Sequence, residues 1–213
     1  MKSDLDQLLR DNQAGALWAT GPAQHNPAVV YLTGGGHMTA ADVFKKVGEE
    51  PVLCHAPMER DEAARTGLKT INFSKFPTKE RLALAEGDHL VASALLNKSI
   101  LEEIGLTSGK VLVYGRTQVG KFYSILKKLE EMLPGLSFEG DINDAVLLQA
   151  MATKEVDEIE RIQAMGKVVT TVVSRVAAFL TGHTVEDEIL IKPDGTPLLI
   201  LSLIHISEPT RPY

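Results

Sequence analysis

From the start of the chain to about residue 150, short apolar and β-branched runs alternate with stretches in which apolar residues recur at helical spacing. Strands are predicted at residues 16–20, 29–33, 51–55, 70–73, 110–114 and 137–138. Helices are predicted at residues 3–12, 57–66, 78–86 with a continuation to 104, 121–133 and 143–150. Alternating strands and helices predict an α/β domain, with a mixed β-sheet flanked by helices, over residues 1–150.

The pattern changes at Thr153, which is a candidate helix N-cap followed by acidic residues in the first turn. Apolar residues then recur at helical spacing to about Thr181, and Gly182 is the expected stop. Residues 189–192 and 197–200 flank the turn sequence Pro193-Asp194-Gly195, which predicts a hairpin. The second part of the chain is therefore expected to be one long helix and a hairpin.

Composition narrows the class of protein. The chain has 213 residues, of which 44% are apolar, enough for one domain and part of another. A formal net charge of −6 gives no general attraction to nucleic acid or to anionic membranes. A single cysteine, an N-terminus without an apolar signal-peptide core, and apolar runs far shorter than the ~20 residues of a membrane span predict a soluble, cytoplasmic protein.

Three stretches carry a resemblance to a known family. Residues 21–35 end in Tyr-Leu-Thr-Gly-Gly, residues 52–64 read as a strand entering a helix, and residues 153–162 run Thr-Lys-Glu-Val-Asp-Glu-Ile-Glu-Arg-Ile. In this order and spacing they resemble the creatinase, prolidase and Xaa-Pro aminopeptidase family of "pita-bread" metallopeptidases. The resemblance covers residues 1 to about 200.

The resemblance implies that residues 1–150 form the family's N-terminal, creatinase-like domain and that residues 151–200 begin its catalytic domain. In the family, that later domain holds two divalent ions (Mn, Co or Zn) on two Asp, one His and two Glu, and the enzymes cleave Xaa-Pro peptides, commonly as homodimers. We expect this sequence to end before those ligands. No catalytic or metal-binding residue is therefore assigned, no cofactor is expected in this fragment, and the chain by itself is expected to be inactive. Aminopeptidase, dipeptidase and creatinase-like activities all stay open.

The last thirteen residues, 201–213, do not continue the family pattern. They resemble the translation of a transposon-end adapter used in preparing DNA sequencing libraries. We interpret them as a non-native tail; the alternative is an ordinary strand over residues 198–206 followed by a polar end.

A candidate substrate-edge site lies in the Tyr31–Gly34–His37 region, where three glycines follow a predicted strand. Glycines allow a ligand to approach the backbone closely, and His37 is available beside them. In the family, this region lies toward the active-site cleft, which implies a role for Tyr31, Gly34 and His37 at the substrate's edge. The alternative is a flexible loop with a solvent-facing histidine.

Two other functions are open alternatives. Gly115, Gly120 and Lys121 fit the spacing G-x-x-x-x-G-K of a phosphate-binding loop between a strand and a helix, although Phe122 stands where such loops need a hydroxyl. The other alternative is a non-enzymatic interaction domain. Cys54 and His55 are adjacent on a predicted strand and so point to opposite faces, which predicts a buried structural cysteine rather than a nucleophile and base.

Overall fold

The computed structural model describes residues 4–35 and 37–199. The chain divides into two compact units, the first ending at Thr153 and the second beginning at Lys154. The adapter-like tail, residues 201–213, lies outside the described residues, so its interpretation stays a prediction. The assignment of the second unit to the start of a catalytic domain also stays a prediction.

The first unit is built on one six-stranded sheet in the order β4-β3-β2-β1-β5-β6. Its strands are β1 (Ala16–Gly21), β2 (Ala41–Lys46), β3 (Val52–His55), β4 (Lys69–Asn72), β5 (Gly109–Gly115) and β6 (Leu136–Gly140). Only β2 runs against the other strands of this sheet, because it pairs antiparallel with both β1 and β3 while the remaining pairs are parallel. The predicted α/β class with a mixed sheet is thus confirmed.

The described part of the first unit has seven α-helices: α1 (Leu5–Asp11), α2 (Pro27–Thr33), α3 (Arg60–Arg65), α4 (Thr78–Leu84), α5 (His89–Glu103), α6 (Val119–Met132) and α7 (Ala145–Ala152). All of them except α4, which packs on α5, contribute buried side chains to the two faces of the sheet. One apolar cluster joins the sheet to α1, α2, α3 and α7, and a second joins the opposite face to α5 and α6. Side chains alternate along each strand, so both clusters draw on the same central strands. The sheet is therefore buried on both sides.

The predicted strand at residues 29–33 is wrong, because this segment is helix α2. Asn26 caps the helix by accepting a hydrogen bond from Val29 N at 3.5 Å, and Pro27 occupies the first turn, where its missing N–H costs nothing. Gly34 ends the helix in the left-handed conformation, with φ of 75°. The side chain of Asn26 also donates to Thr20 O at 3.0 Å, which ties the helix start to β1. These end signals outweigh the β-propensity of the residues between them.

Strand β2 was missed. Three of its six residues are charged, and two of these, Lys45 and Lys46, have their cations held locally. Lys45 is buried at 4% exposure, pairs with Asp6 of α1 and donates to Lys46 O at 2.8 Å. Lys46 donates to Ile104 O at 2.8 Å. The alkyl stems lie along the sheet while the ammonium groups find oxygen partners, an arrangement that the linear pattern does not reveal.

The other helices agree with prediction apart from their ends. The long helix expected from residue 78 to 104 is two helices, since Gly87 intervenes with φ of 86° and Asp88 starts α5 by accepting from Leu90 N and Val91 N. The segment starting at Pro57 opens with one 3-10 turn before α3. Gly67 follows α3 in the left-handed conformation, with φ of 71°.

The second unit contains helix α8 (Val156–Thr181) and a hairpin of β7 (Thr184–Glu186) and β8 (Ile189–Ile191). The N-cap is Glu155 rather than Thr153, and it forms a capping box with Glu158. The predicted turn at Pro193-Asp194-Gly195 is present, with Lys192 N donating to Thr196 O at 2.8 Å. Of the strand predicted after it, the described residues 197–199 form one bridge, between Ile191 and Pro197. The hairpin in the structure pairs β7 with β8, one strand earlier than the predicted pairing of residues 189–192 with residues 197–200.

The mean hydropathy of helix α8 was not anticipated from the sequence. The helix is long and apolar enough, by length and composition alone, to cross a membrane. Core helices of soluble proteins pass the same test. Its apolar residues follow one face, and those that are largely exposed are Val156, Ile159, Ile162, Met165, Val168, Val169 and Val173.

Candidate functional site

The candidate functional residues of the first unit lie at one edge of the sheet, where the carboxyl ends of its parallel strands meet. Strands β1, β3, β4, β5 and β6 all end there, and the antiparallel β2 begins there. In open α/β sheets, ligands bind outside the carboxyl ends of the strands. Thr20 of β1 lies at the centre of this edge, opposite Asp42 of β2 on one side and Gly115 of β5 on the other.

A carboxylate held by an indole is the most distinctive group at this edge. Trp18 Nε1 donates a hydrogen bond of 2.8 Å to Asp42 Oδ1, across the β1–β2 pair. Burial raises the pKa of the Asp42 carboxyl, while hydrogen bonds from Thr20 and Trp18 oppose that rise. Sequence reasoning missed Asp42, because its strand was not predicted and its partner lies 24 residues away.

This carboxylate lines a cavity of about 460 Å³ between the sheet and the two helices α5 and α6. The walls combine aromatic and aliphatic side chains with hydroxyl and amide groups: Trp18, Thr20, Asp42, Phe73, Ser93, Leu96, Asn97, Thr117, Gln118, Lys121, Phe122 and Ile125. A concave site with apolar walls and a few converging polar groups is the usual form of a small-molecule pocket. It is the candidate binding site of this unit.

The phosphate-loop-like segment, residues 115–121, borders the same cavity. Its first glycine, Gly115, and the backbone N–H of Arg116 both contact Thr20 of β1 instead of facing a ligand. Gly115 has φ of 119°, and a Cβ there would lie 2.0 Å from Thr20 O. Arg116 N donates to that same oxygen at 3.1 Å. Phe122 packs edge-on against Trp18, with ring centroids 5.1 Å apart. Close strand packing thus accounts for Gly115, and the carboxylate of Asp42 in the cavity disfavours a polyphosphate.

The predicted substrate-edge residues lie on and after α2. The Tyr31 hydroxyl donates to Ala150 O at 2.8 Å, so this side chain ties α2 to α7. Gly34 is the left-handed residue that ends α2, with open space where a side chain would be. His37 is exposed in the loop that follows. A role for these three residues at a substrate stays a prediction.

The loop containing His37 is anchored by a residue that sequence reasoning also missed. Thr39 donates to Glu59 Oε1 from both its backbone N and its hydroxyl, the latter at 2.7 Å. Glu59 is 9% exposed, and its Oε2 has no hydrogen-bond partner in the described part of the chain. This carboxylate therefore fixes the exit of the loop against the start of α3.

The expected roles of Cys54 and His55 are confirmed at the level of geometry. Cys54 is fully buried in the cluster under α5 and α6, and burial raises the pKa of its thiol. His55, the next residue of β3, is buried with Nδ1 2.8 Å from Ala56 O. Within residues 4–35 and 37–199, no group of three His, Cys, Asp or Glu side chains is placed to hold a metal ion.

Comparison with known proteins places the fold. No family model matches the sequence, and no curated protein matches it. Among solved structures, an X-Pro aminopeptidase from Thermotoga maritima matches with a TM-score of 0.54 and 13% identity, over 85% of this chain and 46% of its own. A dipeptidase from Pyrococcus horikoshii matches with a TM-score of 0.53 and 14% identity, over 97% of this chain and 49% of its own.

A prolidase from Pyrococcus furiosus matches with a TM-score of 0.51 and 16% identity, over 97% of this chain and 52% of its own. The chain thus spans about half the length of these three structures. At these identities the likeness concerns the fold. The resemblance predicted from the sequence is confirmed at the level of the fold. This chain has the fold of about half of each of these X-Pro aminopeptidase, dipeptidase and prolidase chains.

Proposed function

We propose that this chain is the N-terminal part of an Xaa-Pro peptide hydrolase of the prolidase and Xaa-Pro aminopeptidase type. The observation that carries the proposal is the extent of the structural match. With the dipeptidase and the prolidase it covers 97% of this chain, so it cannot be confined to the sheet of the first unit. A common α/β sheet would match over the first unit alone.

Helix α8 supports the same proposal. It begins with a complete capping box, so its start is well defined, yet none of its residues is buried. A helix with one apolar face is stable when that face packs against other elements. In the proposed parent protein, the rest of a catalytic domain would cover this face.

The proposed chemistry lies outside this sequence. Two divalent ions (Mn, Co or Zn), held by two Asp, one His and two Glu of the parent protein, would activate a bridging water against the peptide bond between Xaa and Pro. Tyr31, Gly34 and His37 would border the substrate without taking part in bond cleavage. Proline-containing peptides are the proposed substrates, and a cytoplasmic homodimer is the proposed form of the parent.

The test starts from the source gene. Resequencing across codon 200 should give a reading frame that continues past residue 200 with native sequence in place of the adapter-like tail and supplies the five ligands. The protein made from that frame should cleave an Xaa-Pro dipeptide or a longer Xaa-Pro peptide with a divalent metal, and a chelator should abolish the cleavage. The dipeptide and the longer peptide distinguish dipeptidase from aminopeptidase.

The 213-residue chain, assayed in parallel, should show no cleavage. A downstream frame without the ligands would overturn the peptidase proposal in favour of an interaction domain. Chelator-sensitive cleavage by the homogeneous 213-residue chain would overturn the proposal that its residues are catalytically silent.

A further inference from the structure

The cavity between α5 and α6 carries opposite charges on different elements. Asp42 lies on the sheet, which forms the floor, and is half-buried. Lys121 lies in the first turn of α6, which forms a wall, and is exposed. In the described part of the chain neither side chain has an ion-pair partner, since the contacts of Asp42 are the N–H of Trp18 and the hydroxyl of Thr20. Both charges are available to a ligand.

A carboxylate in such a place favours a cationic ligand group. Removing a charged carboxylate from water is costly unless an opposite charge compensates it. The two hydrogen bonds to Asp42 come from neutral donors, so they orient the carboxylate without neutralising it. An ammonium group entering the cavity would supply the missing charge.

The remaining walls fit an apolar body. Phe122 and Phe73 are half-buried beside the cavity, and Phe122 packs against the indole of Trp18. Aromatic faces bury apolar groups and also attract a nearby cation. The polar wall includes Asn97, whose Nδ2 donates to Ser93 O at 3.0 Å and is therefore held in place. A volume of about 460 Å³ is that of a small-molecule site, since such pockets span about 300–1,000 Å³.

We propose that this cavity binds a small zwitterion with an apolar side chain, an amino acid or a dipeptide, with its ammonium group at Asp42 and its carboxylate at Lys121. The apolar side chain packs on Phe122 and Phe73. This site belongs to the first unit alone and does not depend on the proposed peptidase function.

Isothermal titration of the whole chain tests the charge requirement with four related probes. Phenylalanine and phenylalanyl-glycine carry both charges and represent the two sources of the ligand. Phenethylamine lacks the carboxylate, and 3-phenylpropionate lacks the ammonium group. We expect at least one zwitterion to bind at least tenfold more tightly than either single-charge probe. Absence of binding by both zwitterions at millimolar concentration, or binding of 3-phenylpropionate as tight as theirs, overturns the proposal.

Variants test the two charges separately. Asp42→Asn keeps the acceptor for Trp18 and removes the charge, and we expect it to weaken zwitterion binding at least tenfold. Lys121→Met should weaken it severalfold while leaving phenethylamine binding unchanged. Lys128→Met, on the same helix but outside the cavity and paired with Glu131, is the matched control and should bind as the wild type does.

The fluorescence of Trp18, the single tryptophan, verifies that each variant is folded. Wild-type affinity in a folded Asp42→Asn protein overturns the site. If the peptidase proposal fails while these results hold, the zwitterion site stands independently.

Discussion

The two units of this chain contain amphipathic helices with the same kind of apolar pattern, but the apolar face is buried in the first unit and exposed in the second. In the first unit, helix α6 buries Ile125, Leu126 and Leu129 against the sheet. In the second, α8 carries a longer stripe at the same spacing and buries none of its residues. An amphipathic sequence therefore specifies a helix and an apolar face, whereas burial depends on whether a partner surface is present.

The largest expected effect is the difference in stability loss between two substitutions to alanine, one at a buried leucine of α6 and one at an exposed isoleucine of α8. Leu129→Ala removes a fully buried side chain from α6 and should lower the free energy of unfolding of the first unit by about 2–5 kcal/mol. Ile162→Ala, at a site that is 56% exposed on α8, should change it by less than about 0.5 kcal/mol. Urea unfolding followed by Trp18 fluorescence measures both, because Trp18 reports on the first unit. Equal losses for the two variants would show that the face of α8 is packed in solution.

A pair of glycine variants should differ in sign. Gly115→Ala places a Cβ 2.0 Å from Thr20 O at a φ of 119°, and we expect a loss of about 1–3 kcal/mol. Gly166→Ala puts the methyl group into open space within α8, where alanine is the better helix former by about 1 kcal/mol. Fluorescence should detect the loss in the first unit, and circular dichroism at 222 nm the gain in helix stability. A neutral Gly115→Ala would show that β1 and β5 tolerate wider spacing.

Sequence reasoning predicted most of the sheet because five of its strands combine β-branched or apolar runs with clear ends. It failed at α2, where Val29 and Val30 favour a strand but Asn26, Pro27 and Gly34 supply both helix ends. It failed at β2 because Lys45 and Lys46 read as surface residues. In the structure, Asp6 and a main-chain oxygen of the strand satisfy the first of these cations, and Ile104 O accepts from the second.

The candidate cavity was not predicted from the sequence, because strand β2, which carries Asp42, was not predicted. Asp42 meets Trp18 only through strand pairing, and no local spacing in the sequence encodes that contact. The sequence does single out Lys121, but as a phosphate ligand, because the negative charge of Asp42 across the cavity is not evident from the sequence. The positions that sequence patterns describe well are those whose role is set by near neighbours along the chain.

The smallest effect concerns the charge of Asp42 and depends on pH. Burial raises the pKa of this carboxyl above its ordinary value of 3.8, so the folded state binds the proton more tightly than the unfolded state does. Between the ordinary and the raised value, the folded state holds more protons, and stability falls as pH rises. Above the raised value the loss is complete and constant.

Asp42→Asn should remove this decline. The amide oxygen still accepts from Trp18 Nε1, and the amide nitrogen can donate to the Thr20 hydroxyl, so the hydrogen bonds are kept while the charge is lost. Thermal unfolding from pH 4 upward should therefore show the variant gaining on the wild type as pH rises. Asp42→Ala separates charge from hydrogen bonding, because it leaves the buried indole N–H unpaired at an expected cost of about 1–3 kcal/mol at every pH. A constant difference between Asp42→Asn and the wild type across the range would mean that water in the cavity already solvates the carboxylate, and burial would then not be what sets its proton affinity.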